Sequence, residues 1–247
     1  MLKTEGKNRA KATRLTALYC VFLLALALHS ASASGSDFER TYNPRGTAHI
    51  EISNVNGSIR VSAWEKPSVV IRAFTRNPSL IEDRTSREDI SVRIKPSLKP
   101  ARAEFEVNAP ANSSLVLKNY IGDITVKGIR GHVSVSSIAG DVRLVGVNSE
   151  SLDVKVTSGN IVFDGELHEG GSYNLQSMTG DIDVTLPKDS PFNLNARALS
   201  ENINLGAFLA EFSGRSRSSN WFSGNHLRGG PRLSLTTYSG RILLHKK

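Results

Sequence analysis

The chain has 247 residues, of which 22% are charged and 39% hydrophobic, with a formal net charge of +8. Five of its 31 Lys and Arg residues fall within the first 14 positions, so much of the basicity belongs to a leader and is not a nucleic-acid footprint. A single cysteine, Cys20, excludes a disulfide framework.

Residues 1–33 read as a signal peptide. Lys3, Lys7, Arg9, Lys11 and Arg14 form a positive start, Leu15 to Leu28 an apolar core, and Ala31-Ser32-Ala33 a small-residue cleavage site. The apolar stretch is short of the roughly 20 residues that span a bilayer as a helix. An uncleaved anchor is the alternative. Tyr19 stands before Cys20 where a lipoprotein site needs a small residue, which argues against lipidation. Without the leader the net charge falls to about +4 and no cysteine remains, so stability must come from burial and backbone pairing. No second apolar segment follows, and no transmembrane span is expected once the leader is removed.

Residues 34–110 are the less regular part. Ile50-Glu51-Ile52 followed by Gly57 opens a pattern that later recurs. Val69 to Phe74, Ile90 to Ile94 and Phe105 to Val107 have strand character, with a polar insertion from Asn77 to Asp89. The region is expected to hold diverged β coils that also cap a stack, since an open stack end is an adhesive edge.

From 111 to 247 a unit repeats. Gly122-Asp123-Ile124-Thr125-Val126, Gly140-Asp141-Val142-Arg143-Leu144, Gly159-Asn160-Ile161-Val162-Phe163 and Gly180-Asp181-Ile182-Asp183-Val184 share one design. Glu201-Asn202-Ile203 is a variant, and Gly240-Arg241-Ile242 closes the series. Steps of 18, 19, 21 and 21 residues separate the corners from Gly122 to Glu201. Apolar residues recur seven and five positions before each glycine and two and four after it. Each unit is therefore two short strands with one buried face, joined at a corner where glycine tolerates positive φ and Asp or Asn satisfies nearby amides. A near-constant period favours stacked coils of roughly 20 residues over an antiparallel sandwich, the alternative for alternating strands with glycine turns. The segment 207–230, rich in Ser, Gly and Arg, interrupts the period and reads as an irregular insertion. His245-Lys246-Lys247 should stop further pairing at the end of the stack.

The segments Val154 to Ile161, Gly180 to Pro187 and Leu235 to Ile242 resemble the exported bacterial adhesin-like β-helix family, whose members are mostly domains of unknown function. The likeness covers roughly 45–245. It implies an all-β, single-stranded right-handed β-helix or β-solenoid and a location in the bacterial envelope, periplasmic, surface-held or secreted. The family offers no catalytic residues to carry over.

Chemistry has few footholds. Asp123, Asp141 and Asp181 would line one edge, but Asp beside glycine is ordinary turn chemistry, and no metal site or cofactor is expected. The histidines show no ligand spacing, and no nucleophile motif occurs. Four positions before the corner, Lys118, Lys155 and Arg197 would place a cation on every second coil, a face suited to an envelope glycan or another anionic polymer. Within the insertion, Arg215, Arg217 and Arg228 alternate with Trp221 and Phe222, a composition that binds sugars or phosphates. Export disfavours nucleic acid as a partner; another envelope protein is the remaining class. The expectation is a non-enzymatic exported module with an unknown ligand. The alternative is a carbohydrate-active β-helix enzyme, for which Asp153 and Asp183 are the outward acids.

Overall fold

The computed structural model describes residues 38–86, 88–98, 101–200 and 202–247. The segment 1–33, expected to be a signal peptide, and the corner variant Glu201 lie outside the described residues.

The described chain forms 21 strands and two short 3-10 turns. It opens with β1 (Phe38–Tyr42), β2 (His49–Asn56), β3 (Ile59–Trp64), β4 (Val69–Thr75), β5 (Ile81–Thr85), β6 (Asp89–Ile94) and β7 (Ala103–Pro110). Four regular coils follow, β8 (Ser114–Ile121) with β9 (Ile124–Lys127), β10 (Val133–Ala139) with β11 (Val142–Val147), β12 (Ser151–Ser158) with β13 (Ile161–Gly165), and β14 (Ser172–Thr179) with β15 (Ile182–Leu186). The last part comprises β16 (Phe192–Ala198), β17 (Ile203–Asn204), β18 (Phe212–Arg217), β19 (Trp221–His226), β20 (Arg232–Ser239) and β21 (Ile242–Lys246).

The first strand of each coil joins one sheet and the second joins another, and the two sheets share one apolar core. On the inner face of the first sheet Ile50, Leu115, Val133, Leu152, Tyr173, Leu233 and Leu194 lie in register, all buried. Ile59, Ile124, Val142, Ile161, Ile182 and Ile242 form the facing column in the second sheet. Equivalent strands are about 4.8 Å apart, so each aliphatic rests on its counterparts above and below. Each such burial is worth about 1.5–3 kcal/mol.

Stacking order departs from chain order at both ends. The first sheet runs β18-β19-β16-β20-β14-β12-β10-β8-β2-β6-β5, the second β1-β4-β7-β3-β9-β11-β13-β15-β21-β17. Consecutive winding holds from β8 to β15. At the N-terminal end, coil β2–β3 lies against β8–β9, and the later coil β6–β7 sits outside it. The 65-residue step from Gly57 to Gly122 thus adds one coil, β6–β7, and the antiparallel cap strands β4 and β5. At the other end the final coil, β20–β21, enters between β14–β15 and β16–β17. The last strand is therefore not the end of the stack, since β17 pairs with it at Ile242 and Leu243, but no strand pairs with the outer side of its tail from Leu244 to Lys246. Residues 207–230 are not irregular throughout: they hold a 3-10 turn and the antiparallel pair β18–β19, which covers β16. The two ends of the first sheet and the open edge of the second at β1 carry charged or Arg-bearing strands, β5 with Glu82, Asp83 and Arg84, β18 with Arg215 and Arg217, and β1 with Glu39 and Arg40. Charges on an edge strand block sheet-to-sheet association.

Corner glycines are required by close approach. A Cβ at Gly140 (φ +132°) would stand 2.3 Å from the Gly122 carbonyl oxygen, and one at Gly240 (φ +155°) 2.1 Å from that of Gly180. The column begins at Ala103, which precedes Gly57 in the stack and whose carbonyl Gly57 overlies. A second ladder runs alongside. Asp123 Oδ1 accepts the Asp141 amide at 3.0 Å, Asp141 the Asn160 amide, Asn160 the Asp181 amide and Asp181 the Arg241 amide, each of the last three at 2.8 Å. Inside the corner lies a third, polar column that the sequence reading missed. Asn54, Asn119, Ser137, Ser177 and Thr237, three residues before their glycines, are all buried. Asn119 Nδ2 donates to the carbonyls of Gly57 and Gly122 at 2.9 and 2.8 Å, and Thr237 Oγ1 to that of Gly180 at 2.9 Å. These bonds satisfy corner carbonyls that would otherwise be buried without a partner.

Candidate binding surface

Sequence-predicted residues separate into two groups. Lys118 lies on β8 and Lys155 on β12, both facing outward on the first sheet, and both are neutralised locally. Lys118 Nζ donates to Glu51 Oε1 at 2.7 Å, and Lys155 Nζ to Asp153 Oδ2 at 2.9 Å. Asn174 continues the network by donating to Asp153 Oδ1 at 2.7 Å. The cation row is thus a compensated sheet face. Glu51, from the displaced first coil, is the partner that chain-order reasoning leaves out.

Arg197 stands apart. It lies on β16 beside Trp221 of the capping strand β19 and makes no ion pair among the described residues. Trp221 is half-buried and lines two depressions. One, with a volume of about 230 Å³, is walled on its polar side by Asn202 and Asn204 beyond the corner of the end coil and by Arg217, Ser218 and Ser219 of the β18–β19 hairpin, and on its apolar side by Ile203, Leu205, Leu209, Phe222 and the indole. The other, about 240 Å³, lies between Arg197, Leu199, Asn220 and the same indole. Trp221 is thus the shared wall between two hollows, each with one guanidinium. Amides and hydroxyls that donate and accept, an aromatic face and a cation make a set that fits a sugar ring carrying hydroxyl or carboxylate groups. Each hollow is below the 300 Å³ or so of a drug-sized pocket and suits a single residue of a polymer.

The remaining predicted residues have other tasks. Phe222 is buried, packs on Phe212 with ring centroids 4.9 Å apart, and also lines the first hollow. Arg215 Nη1 donates to the Leu209 carbonyl at 3.3 Å, and Arg228 sits exposed in the turn after β19. The structure therefore brings together Arg197, Arg217 and Trp221 and leaves Lys118, Lys155 and Arg228 elsewhere.

The cap holding Trp221 is pinned by groups the sequence reading passed over. Buried His226 lies among Phe192, Phe208 and Phe212, with Nδ1 2.6 Å from the Ser190 carbonyl oxygen and Nε2 2.8 Å from Glu211 Oε2. Lys246 Nζ, from the inserted last strand, donates to Glu211 Oε1 at 2.6 Å and lies over the Phe208 ring. The ammonium, and after it His226, hold the Glu211 carboxyl below the usual carboxylate range. At the corner ladder Arg241 does the same to Asp181, donating from Nη2 at 2.6 Å.

Asp153 and Asp183 lie on the outer faces of different sheets, so they cannot flank one glycosidic bond. Among the described residues no three His, Cys, Asp or Glu side chains gather as metal ligands, and no helix is long and apolar enough to cross a membrane.

One solved structure shares this fold, and a second is similar at a lower score. A candidate cell-adhesion protein from Clostridium sporogenes is similar over 85% of this chain and 99% of its own, with a TM-score of 0.52 and 15% identity, a likeness of fold. A candidate adhesin from Bacteroides fragilis aligns over 84% of this chain and 96% of its own, at 12% identity and a TM-score of 0.46. Among curated proteins none matches. The Toastrack DUF4097 family model matches residues 30–245, almost all of the described chain, and the protein belongs to that family.

Proposed function

We propose that the chain is a non-enzymatic, exported, adhesin-like module of the bacterial envelope that binds a glycan or anionic polysaccharide at the end of its stack. The observation that carries this reading is Trp221, standing between two hollows flanked by Arg197 and Arg217. The leader residues 1–33 support export, and the cell-adhesion description of the Clostridium sporogenes neighbour agrees with a binding role. The winding is taken as right-handed, as parallel crossover connections almost always are. On this reading the coils are a rigid spacer, and recognition is concentrated at the cap.

An array of purified bacterial cell-wall and capsular glycans, probed with the exported protein, tests the proposal. Trp221→Ala should weaken binding at least tenfold, about 1.4 kcal/mol, because the ring face is the shared wall of both hollows. Lys118→Ala with Lys155→Ala should change it less than twofold. Loss of binding in the lysine variant with retention in Trp221→Ala would move the site to the sheet face and overturn the proposal.

A further inference from the structure

His226 ends β19, the strand that opens with Trp221, and its side chain is completely buried. Its register partners are Phe192 of β16 and Phe212 of β18, and Phe208 of the 3-10 turn completes a wall of phenyl rings, with centroids 5.0, 5.6 and 4.9 Å from that of the imidazole. Both ring nitrogens face oxygen. Nδ1 lies 2.6 Å from the Ser190 carbonyl oxygen, and Nε2 lies 2.8 Å from Glu211 Oε2. A carbonyl oxygen never donates. Nor does this carboxylate at neutral pH, because Lys246 Nζ, donating to Oε1 at 2.6 Å, is the first of the groups that keep Glu211 ionised. Two acceptors at hydrogen-bond distance need two donors, and only the doubly protonated ring supplies them.

A neutral ring fails at one of the two contacts. Whichever nitrogen lost its proton would turn a lone pair toward an oxygen 2.6 or 2.8 Å away, with phenyl rings around it and no solvent access to replace the bond. The charged groups that face the ring among the described residues are Glu211 from the 3-10 turn and, behind it, Lys246 from β21, while β16 and β18 bring phenyl rings against it. Glu211 is itself 45% exposed, so the anion keeps its contact with water while the ring that it grips has none. From this we infer that His226 is held as an imidazolium, and that its proton locks the β18–β19 hairpin, with Trp221, onto the end of the stack.

The lock joins three parts of the chain. Glu211 follows the end coil, Lys246 belongs to the inserted last coil, and His226 belongs to the hairpin that carries Trp221. A ring that must hold both protons to keep both contacts contributes below its folded-state titration and loses that contribution as pH rises through it. The hairpin is therefore tightest in a window, bounded below by protonation of Glu211 and above by deprotonation of His226. That the window governs glycan capture rests on the proposed site at Trp221; the charge on His226 does not.

Nitrogen-15 NMR of the histidine side chains in the exported protein tests the charge without any ligand. At about pH 7 both ring nitrogens of His226 should appear as N–H, and a bare ring nitrogen there would overturn the inference. Between about pH 6.5 and 9.5 the β19 amides, corrected for intrinsic rates, should come to exchange at least about fivefold faster relative to those of β12. In Glu211→Gln that change should vanish, because the side-chain amide can donate to Nε2 and a neutral ring then keeps both contacts. An unchanged ratio in the wild type, or an equal change in the variant, overturns the lock. Glycan capture on the array at both ends of the range separates the two readings. Full wild-type binding at about pH 9.5 with β19 loosened overturns control of the site by the lock. Loosening of β19 with no glycan bound at either pH overturns the glycan site and supports the lock alone.

Discussion

The middle of the stack and its C-terminal end are made from the same coil and put it to different use. In the four consecutive coils from β8 to β15, three ladders recur at each corner: glycine under carbonyl, Asx side chain to amide, and a largely polar buried column inside. Nothing in these coils singles out one from the next. At the C-terminal end the chain reverses this economy. It turns inward, so that β20–β21 fills a place within the stack and β16–β17 becomes the end coil, closed by the β18–β19 hairpin. The hollows around Trp221 exist only there, because they need an end coil with a lid. The difference teaches that regular repetition supplies rigidity, whereas the irregular closure supplies shape.

The comparison can be broken most violently in the middle. Gly159→Ala places a Cβ 2.2 Å from the Gly140 carbonyl oxygen at φ +148°. It should cost more than about 4 kcal/mol in urea unfolding, or prevent folding. Gly170→Ala, at φ +73° with open space around it, should cost only about 1 kcal/mol. Asn119→Ala comes next: it strips the Gly122 carbonyl of its side-chain donor, leaves that of Gly57 to the longer bond from Asn54, and should cost about 1–2 kcal/mol.

The smallest effect belongs to the cap and sharpens the contrast through pH. Glu211 is held below its ordinary value of 4.5 by Lys246 and then His226. A carboxyl depressed in the folded state contributes fully above its unfolded value and loses that contribution as pH falls through the folded one. Amides of β19, corrected for intrinsic rates, should therefore exchange faster relative to those of β12 as pH drops from about 5 toward 3. Glu211→Gln should remove that relative change.

Much of the middle was legible because the corner fixes the register. Once Gly122 and its counterparts were aligned, alternation placed Leu115 and Leu117 inside and Lys118 outside. The same alternation also marks the buried Asn119 column, a signal present in the sequence but not followed past the last aliphatic position. Coil order was not legible. Leu233, Leu235, Ile242 and Leu244 carry the same apolar code as every other coil, so the code says that they stack without saying on what. The cap hairpin was read as irregular because Ser and Gly dominate β18 and weaken its strand signature. Arg215 and Arg217 accordingly looked like a basic loop. They lie on an edge strand, where Arg217 both lines a hollow and guards the sheet.

The candidate site depends on the displaced last coil, and cysteine pairing reports that displacement directly. Gln176 and Thr236 are register partners on neighbouring strands, about 4.8 Å apart at Cα, within disulfide reach; Gln176 and Arg197 are two strands apart, about 10 Å, and beyond it. In a Cys20→Ser background, Gln176→Cys with Thr236→Cys should oxidise to a single intramolecular disulfide, while Gln176→Cys with Arg197→Cys should stay reduced. Efficient bonding of the second pair and none of the first would mean that the coils stack in chain order, with no lid over the end coil and no cleft at Trp221.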